Sequence, residues 1–137
     1  YDELLGRALD VWPEYEGFYQ SACYRLLPRW HGRPGDWEAF LDALPEKLGD
    51  QDLADIMYAR CVWYLLDRKI YNIEVRIFAD SEATWAPVNH GYALLLELYP
   101  DSLYLLSQYC VMASEANDPE TAYQLFERLN GRCDLGA

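Results

Sequence analysis

Five closely spaced carboxylates are the side chains best suited to acid–base chemistry. They fall into two groups, Glu14 with Glu16, and Asp50 with Asp52 and Asp55. Paired carboxylates can act as general acid and general base in hydrolysis. The same residue types are also typical of helix caps and first turns, where they meet the positive end of the helix dipole. The spacing therefore favours a structural role over catalysis.

The two histidines, His31 and His90, lie on different predicted elements. Since no H-E-x-x-H motif joins them, the sequence predicts neither a metal site nor a cofactor. Cys110 with His90 could form a nucleophile and its base, but a cysteine inside an apolar helical pattern is more typical of a core. The sequence also has no G-x-S-x-G elbow, phosphate loop or dinucleotide fingerprint. We therefore predict that the chain is not an enzyme.

The four cysteines are scattered, with no C-x-x-C pair, which argues against a zinc knuckle or a thioredoxin-type site. Cys23, Cys61 and Cys110 lie in apolar helical patterns, and we expect them to be reduced core residues. Disulfide formation in an exported protein is the alternative, because the count is even.

Composition predicts one globular domain over residues 1–137, because 52% of the residues are hydrophobic. The 23 acidic residues outnumber the 11 basic ones, and the net charge of -12 disfavours nucleic acid as a partner. Charged residues interrupt every apolar run before the roughly 18 residues of a membrane helix, so we expect no membrane insertion. Because residue 1 is Tyr, the chain is expected to be part of a longer protein. Localisation is open, with the cytoplasm slightly favoured over export after signal-peptide removal.

Apolar residues that recur every three or four positions predict helices along most of the chain. The predicted helices cover 2–11, 13–27, a segment from 36, 53–66, a segment from 84, one from about 103 and one from 119. Their predicted caps are Asp36, Asp50 or Asp52, Thr84, Asp101 or Ser102, and Asp118. We expect Pro45 to kink or end the third helix and Gly49 to cap it. Tyr99 and Phe126 are assigned to buried helix faces.

Residues 71–77 depart from this pattern, because Tyr71, Ile73, Val75 and Ile77 alternate with polar residues. A period of two is typical of extended backbone. Since the chain has no second alternating run to pair with it, we interpret this segment as an extended connection, with a short helix as the alternative.

An aromatic–proline pair occurs twice, at Trp12-Pro13 and Tyr99-Pro100, each followed by a cysteine ten residues after the proline. Recurring helix pairs are typical of hairpin solenoids. The Tyr99-Pro-Asp-Ser turn and the segment from Asn117 to Phe126 resemble a tetratricopeptide repeat. Together with Trp30-His-Gly32 and Trp85, they are also similar to a bacterial family of unknown function that has tetratricopeptide-like helices. The resemblance implies an all-α fold of stacked antiparallel helical hairpins and implies no activity.

Two groups of polar and aromatic residues are the candidates for binding. One lies in a proline- and glycine-rich loop, which is a common place for recognition residues. The other lies off the apolar face of the helix that follows Thr84, where polar positions can line a solenoid groove. The predicted binding residues are Arg29, Trp30, His31, Asn89, His90 and Glu97. The alternatives are that Trp30 packs over the first hairpin and that the helical positions are simply solvated.

The sequence thus favours a noncatalytic module that binds a protein or peptide. A second hypothesis is an acidic inhibitor or immunity-type protein that masks a basic partner, because opposite charge speeds such an encounter. A third is a hydrolase that uses paired carboxylates.

Overall fold

Regular structure in this protein is entirely α-helical in the part that can be described. A computed structural model of the chain describes residues 12–27, 32–67, 77–79 and 81–132, with only the backbone described at 12–16 and 18. The helices are α1 (Trp12–Arg25), α2 (Asp36–Asp42), α3 (Leu44–Leu48), α4 (Gln51–Asp67), α5 (Trp85–Leu98), α6 (Leu103–Glu115) and α7 (Pro119–Leu129). The prediction of an all-α fold is therefore confirmed for these residues.

Helix α4 lies at the centre of the packing. It contacts α1, α3 and α5, while α5 also packs against α6 and α6 against α7. A helix with neighbours on several sides must be apolar around most of its circumference. This explains why nearly all of α4 from Leu53 to Leu65 is buried, as its apolar sequence predicts.

A glycine sets the distance between α4 and α5. A Cβ atom added at Gly91 would lie 2.3 Å from the backbone oxygen of Asp55 and 2.9 Å from the Cβ of Ala59. Because no larger side chain fits without movement of the backbone, Gly91 allows the two helices to approach closely here. The neighbouring His90 is thereby brought against α4.

Three predicted helix caps are confirmed. Asp50, Ser102 and Asp118 each accept a hydrogen bond, through a side-chain oxygen, from the backbone N–H three residues later, at 3.1–3.2 Å. These bonds satisfy amides that have no acceptor within the helix. The sequence left two alternatives open at the first two of these sites, and the structure selects Asp50 over Asp52 and Ser102 over Asp101.

The two other predicted caps have different outcomes, because Asp36 is not at the N-cap position, whereas Thr84 occupies it without a side-chain bond. Helix α2 already includes Asp36, whose carboxylate accepts a bond of 2.7 Å from the backbone N–H of Arg33 in the preceding turn. Thr84 does stand just before α5, but its side chain makes no capping bond. Its backbone N–H instead donates to the hydroxyl of Tyr58 at 3.0 Å. A tertiary contact thus takes the place of a local cap.

The helix is interrupted between α2 and α3, close to Pro45, where the sequence predicts a kink or a helix end. Helix α2 ends at Asp42, Ala43 forms the break, and Pro45 occupies the first turn of α3. Proline is tolerated there because first-turn amides lack an intrahelical acceptor. Gly49 caps the end of α3 in the left-handed region, with φ 65°, as predicted.

Two aromatic residues assigned to the buried faces are exposed instead. Tyr99 is 51% exposed, because α5 ends one residue before it. Phe126 is 62% exposed, while Leu125 and Leu129 are buried. Phe126 lies about 100° around the helix from Leu125, off the side of α7 that the two leucines define.

Cys23 and Cys61 are buried, Cys110 is half-buried, and none of the three takes part in a disulfide. The predicted helix over 2–11 and most of the predicted extended segment, residues 71–76, lie outside the described residues. Ile77, at the end of that segment, is fully buried in a turn.

Candidate functional site

A cleft of about 380 Å³ opens where the end of α2 and the start of α3 meet α4 and α5. We call it the α4–α5 cleft. Its described lining consists of Leu41, Asp42, Pro45, Gln51, Ala54, Asp55, Tyr58, Ala86, Pro87 and His90. Aliphatic and proline side chains form much of the wall, and a few polar groups converge within it.

The central polar feature is the pair formed by His90 on α5 and Asp55 on α4. The Nδ1 atom of His90 lies 2.6 Å from Oδ2 of Asp55, while Oδ1 of Asp55 accepts a bond of 2.8 Å from the amide of Gln51. The Asp55 side chain is only 10% exposed, whereas that of His90 is 46% exposed. A carboxylate can only accept, so we assign a proton to Nδ1 of His90.

The second nitrogen of His90 faces another acid. Its Nε2 atom lies 3.8 Å from Oδ1 of Asp52, which is beyond hydrogen-bonding distance. Asp52 and Asp55 lie three residues apart on α4 and therefore share one side of that helix. The imidazole is thus held between two carboxylates.

A second group of acidic side chains lies near Asp42 of the cleft lining. Partial burial raises the pKa of Asp42, and the nearby charge of Glu82 raises it further. Burial likewise raises the pKa of Tyr58, with smaller upward effects from Asp42 and Glu38, while its contacts with Thr84 act in the opposite direction. These pKa shifts indicate that the carboxylates lie close enough to interact electrostatically.

Glu38 adds a buried acid next to this region. It is 4% exposed, and its Oε2 accepts a bond of 3.1 Å from the backbone N–H of Glu82. Its Oε1 atom has no hydrogen-bond partner within the described ranges. Burying a polar oxygen without a hydrogen bond costs free energy.

The predicted binding residues on α5 point in different directions. His90 lines the cleft, whereas Asn89 accepts a hydrogen bond from the hydroxyl of Tyr109 on α6. Glu97 is exposed and is not among the residues that line the cleft. The structure therefore does not join the three into one surface. The other predicted binding residues lie outside the described residues: Arg29, Trp30 and His31.

Sequence reasoning missed Asp42, Gln51 and Tyr58 as site residues and assigned Asp55 to the first turn of its helix. One signal was available, because Asp55 and Arg60 are the two charged residues between Leu53 and Leu66 in an otherwise apolar helix. Both turn out to make tertiary bonds, and Nη1 of Arg60 donates to Oε1 of Gln108 at 2.6 Å. Charged residues that interrupt a buried helix usually have such partners.

The structure does not bring Cys110 and His90 together as a reactive pair. The Cys110 Sγ lies 3.6 Å from the backbone oxygen of Ala122 on α7, whereas His90 pairs with α4. Across the described residues, no group of three or more histidine, cysteine or acidic side chains is arranged to hold a metal ion.

None of the helices in the described ranges combines the length and apolar character needed to cross a bilayer. No protein-family model matches the chain, and neither does a curated protein or a solved structure.

Proposed function

We propose that this protein is a noncatalytic module that binds a peptide, or an exposed segment of a partner protein, in the α4–α5 cleft. The observation that carries the proposal is the composition of the cleft. Apolar residues such as Leu41 and Pro87 form its walls, and a prearranged His90–Asp55 pair lies among them. Binding sites commonly combine an apolar surface with a few fixed polar groups.

The size of the cleft also supports this role. Its volume of about 380 Å³ falls within the range of roughly 300–1,000 Å³ that is usual for ligand sites. Two of its polar groups are already held by other protein atoms, because Gln51 orients Asp55 and Asp55 orients His90. Such preorganisation lowers the entropy lost when a ligand binds.

Binding without catalysis fits the arrangement around His90 better than hydrolysis does. A nucleophilic mechanism needs a hydroxyl or thiol within reach of the histidine. The described lining contains no serine, threonine or cysteine, and the Tyr58 hydroxyl already accepts a bond from Thr84. A hydrolase that uses Asp52 and Asp55 would also need both carboxylates to be available, whereas Asp55 already binds both His90 and Gln51.

We further propose a tetratricopeptide-like arrangement of helical hairpins. Helices that follow one another in the chain also pack against each other, α4 with α5, α5 with α6, and α6 with α7. This order is the one expected of a solenoid, in which each unit covers the apolar face of its neighbour.

A peptide-display selection followed by calorimetry tests the binding role. The chain is used to select peptides from a random library, and the dissociation constant of the best peptide is then measured on two variants. Ala86→Trp fills the cleft from an exposed position in its lining, so we expect binding to weaken by about tenfold or more, equivalent to about 1.4 kcal/mol.

The matched control is Ala93→Trp, which adds the same ring to an exposed position on α5 outside the cleft lining. It should leave the dissociation constant within about twofold, since a surface change away from the contact has little effect. The proposal fails if the library yields no binding peptide, or if Ala86→Trp leaves the affinity unchanged.

A second candidate function is an acidic inhibitor or immunity-type protein. The net charge of -12 and the carboxylates around the cleft, Asp42, Asp52 and Glu82, favour a basic protein surface as the partner. The two functions differ in their response to salt. Binding of a basic protein face should weaken steeply as ionic strength rises, whereas a peptide held largely by apolar contact should be much less affected.

A further inference from the structure

The hydrogen-bonding groups in the α4–α5 cleft are mainly acceptors. Asp42 and Asp55 contribute carboxylates, and neither lysine nor arginine occurs in the described lining. Nδ1 of His90 is directed at Asp55, and its Nε2 faces the Asp52 carboxylate at 3.8 Å. A ligand that complements these groups must bring hydrogen-bond donors.

The electrostatic surroundings point to a donor that carries positive charge. Burial and the nearby charge of Glu82 disfavour the ionised form of Asp42, and Glu38 keeps a buried carboxylate oxygen without a hydrogen-bond partner among the described residues. No lysine or arginine in the described lining balances these groups. A bound cation would relieve the repulsion between the acids and would itself be attracted.

The apolar part of the cleft suits the stem of a long basic side chain. Leu41, Pro45 and Pro87 line the same cavity as the acids. Lysine and arginine carry several methylene groups between the backbone and the charged head, and they bury this stem against apolar surface. A small inorganic cation would leave that surface uncovered.

We propose that the α4–α5 cleft receives one arginine or lysine side chain of the bound segment, with its stem against the apolar walls and its charged head between Asp42 and the Asp55–His90 pair. This inference rests on the proposed function and specifies the chemistry of the segment. It distinguishes a single inserted basic side chain from general attraction to a basic surface.

The test uses two pairs of blocked tripeptides that differ only in charge. One pair has arginine or citrulline between two alanines, and the other has lysine or Nε-acetyl-lysine. Binding is followed by NMR through the backbone amide signals of Ala54, Ala86 and His90. We expect at least one charged peptide to shift these signals with an affinity about tenfold or more above that of its neutral counterpart.

A matched pair of protein variants separates the cleft from the overall charge. Asp42→Asn removes one negative charge from the cleft lining, and Glu127→Gln removes one from an exposed position on α7. Asp42→Asn should weaken binding of the charged tripeptide by about fivefold, whereas Glu127→Gln should change it by less than about twofold. Equal weakening by both variants would overturn the inference, because it would show a response to net charge alone.

The outcomes also separate this inference from the proposed function. If library peptides bind and Ala86→Trp blocks them, but neither tripeptide pair shows a preference for charge, the module binds a segment without a basic anchor and only this inference fails. If neither library peptides nor tripeptides bind, both proposals fail.

Discussion

The indole nitrogen of Trp85 donates a hydrogen bond of 3.0 Å to Oδ2 of Asp118, which links the first residue of α5 to the cap of α7. The other carboxylate oxygen of Asp118 accepts from the backbone N–H of Thr121 and so caps α7. The Asp118 side chain therefore has two roles. It starts α7 locally, and it positions α7 relative to α5, which is distant in sequence.

Replacing Asp118 with alanine should lower the free energy of unfolding by about 1–2 kcal/mol, since it removes a helix cap and a side-chain hydrogen bond. Urea unfolding followed by tryptophan fluorescence measures the loss. Asp101→Ala is the control, because Asp101 is exposed and Ser102 caps the neighbouring helix. It should change stability by no more than about 0.5 kcal/mol. Equal losses would contradict a special role for Asp118.

The contribution of Asp118 should also depend on pH. Hydrogen bonds from Thr121, followed by that from Trp85, lower the pKa of Asp118. A carboxyl group with a lowered pKa stabilises the fold above its unfolded pKa of about 3.9, and this contribution is lost as pH falls through the lowered value. The difference in free energy of unfolding between the wild type and Asp118→Asn should therefore disappear in acid. A difference that stays constant from pH 7 to pH 2 would contradict this prediction.

Gly91→Ala should destabilise the protein by about 1–3 kcal/mol, because the added methyl group forces α4 and α5 apart. The nearest atom, the backbone oxygen of Asp55, would lie 2.3 Å away and cannot rotate aside. Thermal unfolding measures the effect. NMR signals of the His90 ring should also change as the contact with Asp55 loosens.

Gly17→Ala is the matched control for Gly91→Ala, because Gly17 lies within α1 and a Cβ there meets nothing within 4 Å. It should stabilise the protein by up to about 1 kcal/mol through higher helix propensity. Opposite signs are thus expected for the same chemical change. Stabilisation by both variants would show that the two helices can separate without cost.

Gln108→Leu should lower stability by about 1–3 kcal/mol, since it removes a buried acceptor from two donors. The Oε1 atom of Gln108 accepts from Arg60 at 2.6 Å and from the hydroxyl of Tyr92 at 3.0 Å. The control Gln124→Leu makes the same change at an exposed position of α7 and should stay within about 0.5 kcal/mol. Chemical denaturation measures the stability of both variants. If Gln108→Leu leaves the free energy of unfolding unchanged, the buried hydrogen bonds make no net contribution to stability.

Asp42→Asn should stabilise the protein slightly at neutral pH, by no more than about 0.5 kcal/mol because Asp42 is largely solvated. Burial and the charge of Glu82 raise the pKa of Asp42, so its ionised form opposes folding. This cost is present above the raised pKa and disappears as pH falls through it. The gain in stability should therefore vanish in acid, and Asp101→Asn, the same change at an exposed position, serves as the control. Destabilisation by Asp42→Asn at pH 7 would contradict the predicted direction of the change in stability.

The sequence by itself determined the helical class and much of the local detail. Asp118, Pro119 and Gly49 mark helix ends through bonds and backbone angles that involve only neighbouring residues. The nearly continuous apolar sequence of α4 likewise predicts a helix that is covered on several sides. These features were predicted because their causes lie within a few residues of one another.

Only the tertiary structure decided which side chains share a site. His90 meets Asp55 across 35 residues, and Thr84 meets Tyr58 across 26, after α5 has packed on α4. The same packing turns Asn89 toward α6 and so removes it from the cleft. Helical periodicity tells which residues share a face of one helix, but the choice of neighbour for that face depends on packing between segments distant in sequence.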